Sequence, residues 1–180
     1  MTDNSSSTYR YLDTDADRKQ LADDFSRTRR LVLQLIDQLP EDKWYEPRYH
    51  GWSPAAMLAH LHLMDNLSLL LIQAALVGIR PPIGRRMLDS FNDFMSGVFK
   101  RRVVATTRKG VEKNEARLTD FILNLPMDKF TVQVYHPGLG RFITVEQALQ
   151  SLFLFHWEDH LRLMREVEGI YYEPPRDTSA

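Results

Sequence analysis

The chain has 180 residues, a nearly balanced charge (Lys and Arg 23, Asp and Glu 24, net −1) and a sequence pI of about 6.6. That length suits one domain with one sizeable core, and charges scattered in both signs give no basic field for nucleic acid. With no cysteine, disulfides, thiolate catalysis and sulfur-ligated metals are excluded, and His, Asp and Glu remain as ligands.

Residues 1–14 are Ser-rich and without period, so they read as a loose tail, as do residues 171–180 with their paired prolines. The start lacks the charged and apolar regions of a secretion signal, which makes a cytoplasmic location the expectation. From Asp15, the residues Leu21, Phe25, Thr28, Val32, Leu35 and Leu39 step by four and three, which predicts an amphipathic helix ended by Pro40. An irregular link then leads to Gly51-Trp52.

Ser53-Pro54 is a helix start: serine caps the free amides, and proline at the first helical position gives up no needed donor. The second helix is expected to run to Val77 and stop at Gly78, with Met57, His60, Met64, Leu67, Leu71 and Ala74 on its apolar seam. His62 lies roughly 200° around from His60, at about 100° per residue, and faces elsewhere. The apolar run Leu67–Val77 is too short to span a bilayer, so it reads as a buried or interface helix and no membrane partner is expected.

Arg80–Lys109 reads as a long connection carrying a short helix near Ser90–Arg101, with basic clusters that include Arg85 and Arg86. Val111, Asn114, Leu118, Phe121 and Leu125 predict a third long helix, ended by Pro126. Phe130–Ile143 alternates around Pro137-Gly138-Leu139-Gly140, which suits a loop or a small hairpin. Thr144 with Gln147 forms a capping-box pattern at the head of a fourth helix. Leu149, Phe153, His156, His160, Leu163 and Val167 form its seam. The expected architecture is all-α, a four-helix bundle with a long crossover connection over residues 15–170.

Three histidines on apolar seams carry the functional reading. His156 and His160 lie four residues apart, so both rings lean from one helical face, and His60 is a third candidate on another helix. Each alone has an ordinary explanation as a neutral core residue bonded to a neighbour. Burying three unpaired imidazoles in adjoining seams costs ~1–3 kcal/mol for each unsatisfied group, and a metal would remove that conflict by using their lone pairs. Three nitrogens with an open fourth position suit Zn²⁺; Ni²⁺ and Fe²⁺ also accept imidazole. Asp65 sits five residues after His60, off the ligand face, as a weak outer partner. Glu158 reads mainly as a solubilising carboxylate and Asp159 equally as that or as an outer partner of the ligands, His50 and His136 as exposed loop residues, and Trp44, Trp52 and Trp157 as packing anchors.

The combination of GWSPAAMLAHLHLMDN with the distant GRFITVEQALQSLFLFHWEDHLRLM resembles the DinB-like (DinB/YfiT) superfamily of metalloproteins. The Trp-Ser-Pro helix start, the His-Leu in helix two, the Pro-x-x-Gly loop and the HxxxH of helix four occur in the family's order. The resemblance implies a four-helix bundle, frequent homodimers and a divalent metal held at His60, His156 and His160. It also implies a metal-dependent thiol S-transferase or hydrolase acting on a small molecule, with a low-molecular-weight thiol as a cosubstrate. Separately from the resemblance, the basic residues Arg85 or Arg86 are candidates to receive an anionic cosubstrate. The competing reading is a non-catalytic bundle with structural histidines that dimerises through Leu67–Val77. Nucleic-acid binding is opposed by the charge balance.

Overall fold

In the computed structural model, residues 8–81, 90, 94–95, 97–100 and 102–170 are described. Helix α1, Asp15–Gln38, opens on a capping box: the Thr14 hydroxyl accepts the Asp17 amide while the Asp17 carboxylate accepts the Thr14 amide. Every residue of its expected seam is buried. The stretch just before it is not loose at residues 9–13: Leu12 is buried, and Gln150 both accepts from the Arg10 amide and donates to its carbonyl, each at 2.8 Å. The apolar Leu12 side chain and the paired peptide group outweigh the Ser-rich composition there. Residues 1–7 and 171–180 lie outside the described part.

After a 3₁₀ turn, Glu41–Tyr45, the chain tightens at His50-Gly51, both with positive φ (49° and 90°), so that Tyr49 and Trp52 face each other as an antiparallel bridge. Ser53 follows at once and caps α2, Pro54–Leu76, its hydroxyl accepting the Ala56 amide at 3.1 Å. The chain leaves α2 at Gly78, whose φ of 87° suits a residue without Cβ. The buried line of α2 departs from the expected seam: it runs through Leu58, Leu61, Asp65, Leu69, Ile72 and Ala75, while Leu67 is 38% exposed. Helix α2 is apolar on several faces, so periodicity alone does not choose the inner one, and a carboxylate on the inner line is disguised as a surface residue. The helix is long and apolar enough to cross a membrane, yet 67% of its most apolar window is buried in the bundle.

The short helix expected near Ser90–Arg101 is helical at each described residue from 90 to 99, and Arg85 and Arg86 lie outside the described residues. Helix α3, Val104–Asn124, starts inside the stretch expected to be a connection, because Val104 and Thr107 extend the buried line of Val111, Asn114, Leu118 and Ile122 by two turns. Helix α3 packs on both α1 and α2. An alanine Cβ at Gly110 would lie 2.6 Å from the His62 ring, so the α2–α3 approach depends on this glycine. Gly110→Ala gains ~1 kcal/mol of helix propensity but forces the half-buried His62 ring aside. Denaturant midpoints should therefore show it stabilising more in a His62→Ala background than in the natural chain. Equal effects in the two backgrounds would refute the contact.

Strands β1, Gln133–His136, and β2, Arg141–Thr144, pair antiparallel from Gln133↔Thr144 to His136↔Arg141, which resolves the loop-or-hairpin alternative. The Thr144–Gln147 capping box then starts helix α4, Val145–Gln150. A π-helical turn, Ser151–Phe155, joins it to α5, His156–Glu168. Packing of the long helical segments buries two main apolar clusters. One is built around Phe25, Ile72, Ile122 and Phe153, the other around Ile36, Leu58, Val111 and Trp157.

Candidate metal centre

The π turn decides where the histidines go. In an unbroken α-helix, the seam through Leu149 and Phe153 would continue as His156, His160, Leu163 and Val167. With wider winding over Ser151–Phe155, the core face resumes one residue later, at Trp157, Leu161 and Met164, while Val167 is exposed. His156 and His160 thus stand beside the core face rather than on it. Both are half-buried, and both turn toward α2.

There they meet His60. His156 Nε2 lies 3.3 Å from His60 Nε2 and 3.0 Å from His160 Nε2, and one nitrogen from each of the three rings lies within 4.8 Å of the others. A neutral imidazole nitrogen offers either one proton or one lone pair, so His156 Nε2 can satisfy only one of its two neighbours. A single cation receiving three lone pairs satisfies all of them, so the donor set fits a divalent metal of the kind that accepts imidazole. Trp52 walls the site, its ring edge-on to His60 at 5.1 Å between centroids. The bridge at Tyr49 and Trp52 is held in turn by Glu168: Arg48 donates to both its carboxylate oxygens at 2.7 and 2.8 Å, and Tyr49 donates its hydroxyl at 2.9 Å.

All three rings are held neutral. Burial, with a smaller contribution from His160, lowers the His60 pKa to about 3. Burial lowers His160 to about 4, and burial with the neighbouring histidines holds His156 well below the ordinary value of 6.5. A depressed folded pKa means that the folded state binds fewer protons than the unfolded chain. Stability is therefore fully present above about pH 6.5 and declines as pH falls toward 4 and 3, by up to ~1.4 kcal/mol per pH unit for each group. In chelator, the urea midpoint should drop markedly from pH 7.5 to pH 5, and an unchanged midpoint would contradict the buried, neutral cluster.

The structure brings His60, His156 and His160 together and keeps Glu158, Asp159 and His50 exposed. One expectation needs correction. His136 is buried, not an exposed loop residue: its Nδ1 accepts the Leu139 amide at 3.1 Å, which leaves the proton on Nε2 to be donated to Ser151 Oγ at 2.8 Å. The hairpin register turns it inward, which Pro137-Gly138 does not reveal. Asp65 bonds none of the three histidines, in keeping with its place off the ligand face; it is fully buried, accepting from Arg29 at 2.8 Å and from the Trp157 indole at 2.9 Å. Arg29 of α1, also fully buried, is the partner that makes this possible; nothing in the local pattern of α1 marks it. A groove of about 500 Å³ between Arg27, Leu31, Leu161 and Arg165 contains none of the three histidines.

A family model described as the DinB superfamily matches residues 24–164. The chain belongs to the DinB superfamily. No curated protein matches it. Among solved structures, this DinB chain is similar to YfiT from Bacillus subtilis, described as "a probable metal-dependent hydrolase with an unusual four-helix bundle topology". The TM-score is 0.72 at 18% identity, over 90% of this chain and 91% of that one. At that identity the likeness shows the fold: a DinB four-helix bundle with a long connection between its second and third helices.

Proposed function

We propose that this DinB protein is a metal-dependent enzyme in which His60, His156 and His160 hold one divalent ion, Zn²⁺ or Ni²⁺ first and Fe²⁺ next. The observation that carries the reading is the convergence of three neutral Nε2 atoms from two distant helices, two of the contacts being 3.0 and 3.3 Å. Bound there, such an ion supplies Lewis acidity, which lowers the pKa of a water or thiol. The chain's own part is to keep the three imidazoles unprotonated by burial, to fix two of them on the helix beyond the π turn, and to set Trp52 as an apolar wall beside His60.

The reaction class that fits is activation of a small thiol or a water for attack on a small electrophile, a thiol S-transferase or hydrolase. The YfiT description favours the hydrolase arm. The test is an assay of metal-loaded protein with low-molecular-weight thiols and an electrophilic acceptor, beside ester and amide hydrolysis panels. Turnover lost in chelator and in His60→Ala supports the reading; turnover unaffected by both overturns it.

A homodimer is proposed from a separate observation. Leu67, Leu70 and Val77 form an exposed apolar stripe along α2, at 38%, 62% and 74% exposure. Light scattering should give twice the chain mass, falling to the monomer in Leu70→Glu. A monomeric natural chain would remove this proposal without touching the metal site.

A further inference from the structure

Arg29 is fully buried, and its guanidinium donates to three acceptors. Its Nη2 donates to Asp65 Oδ2 at 2.8 Å, and its Nη1 reaches the Phe153 carbonyl at 3.3 Å and the Phe25 carbonyl at 3.4 Å. Phe153 lies inside the π turn, where i→i+5 bonding replaces the regular helical ladder. Asp65, also fully buried, takes the indole proton of Trp157 at 2.9 Å, and Trp157 directly follows His156. The guanidinium also stacks over the Trp157 ring, 4.5 Å from its centroid. At the start of the same turn, His136 donates to Ser151.

A buried ion pair is weak evidence for stability, since well-packed apolar residues usually serve as well or better. Here the guanidinium is also imperfectly satisfied, its Nε having no partner among the described residues. What the pair touches is the π turn and the residue beside a candidate ligand. We infer that Arg29 and Asp65 are positioning residues for the histidine cluster: together they clamp the Phe153 carbonyl and the Trp157 indole, and so hold the π turn in the winding that directs His156 and His160 toward His60. The inference rests on the metal reading above and adds to it the device that shapes the ligand set. A relaxed, regular helix would move the rings around the helix axis, out of register with α2.

The test is Co²⁺ titration followed through its d–d absorption bands, on the natural chain and on R29M/D65N. That variant removes both charges while keeping an apolar filler at 29 and an acceptor for Trp157 at 65. The natural chain should bind one Co²⁺. The variant, shown folded by circular dichroism and a cooperative thermal transition, should bind ~10–100-fold more weakly, as with loss of other outer-sphere supports, and with altered bands. Natural affinity and an unchanged spectrum in the folded variant overturn the inference and leave the metal reading standing. A natural chain that takes up no Co²⁺ overturns both. Should R29M/D65N not fold, R29K carries the test: a lysine retains the charge but lacks the fork whose two nitrogens reach Asp65 and the Phe153 carbonyl separately. Weakened Co²⁺ binding there supports the clamp, and natural binding overturns it.

Discussion

Replacing His156 with Ala should abolish tight metal binding while leaving the bundle folded. His156 is the central member of the cluster, since its Nε2 is the atom that both His60 and His160 approach. Its loss removes one of three nitrogen donors and leaves only His60 and His160, whose ring centroids lie 5.3 Å apart. The expected fall in affinity is larger than the ~10–100-fold typical of an outer-sphere partner. The fold should survive because His156 stands beside the core face, with Phe153 and Trp157 supplying the buried packing around it. Isothermal titration with Zn²⁺ and Ni²⁺, beside a thermal melt in chelator, separates the two effects. Natural affinity in His156→Ala would contradict the ligand assignment; a collapsed melt in chelator would make the residue structural instead.

The largest effect on stability is expected from Asp65→Asn. Burial pushes the Asp65 carboxyl pKa up, and Arg29 with the Trp157 indole offsets this by favouring the charged form. Converting the carboxylate to an amide leaves the Arg29 guanidinium charged, fully buried and without its counter-ion. Breaking such a pair from one side costs ~3–5 kcal/mol, because the remaining charge keeps its desolvation penalty. R29M/D65N should recover most of that loss, the methionine side chain filling the volume against Phe25 and Trp157 while the new amide oxygen at position 65 still accepts the indole proton. Urea unfolding of the single and double variants is the check. A double variant no more stable than Asp65→Asn would show that the pair's contribution lies in something other than charge compensation.

Much of the bundle was legible from residue order. Ser53 and Thr144 each mark a helix start through a side-chain bond to a backbone amide three residues on, and Pro40 and Gly78 mark two stops. Those signals are local, so they survive without knowledge of tertiary packing. Legibility failed where a long-range partner inverts the local signal. Asp65 reads as a weak outer residue off the ligand face, and its burial stays hidden unless Arg29, 36 residues away, is known to face it. His136 reads as loop because the Pro-Gly turn dominates its neighbourhood, while its register opposite Arg141 turns it in.

The three histidines were selected by a straight-helix seam, and their meeting depends on a departure from that geometry. HxxxH keeps His156 and His160 on one face in either winding, so the pair was visible. The π turn that moves the core line from His156 to Trp157 was not, since no single residue in Ser151–Phe155 announces it. Likewise α3 starts at Val104, because an apolar line with polar Thr107 on it fades into a basic connection when read without its partners α1 and α2.

The most direct measurement is X-ray absorption fine structure at the metal edge of protein purified without chelators, with metal content determined on the same sample. One divalent ion per chain should be found, its first shell containing three nitrogen scatterers, at about 2.0–2.1 Å if the metal is zinc, with the outer-shell pattern of imidazole rings. That pattern should disappear in His60→Ala. A protein that takes up no divalent metal, or one whose metal shows no imidazole scattering, would contradict a centre built on His60, His156 and His160.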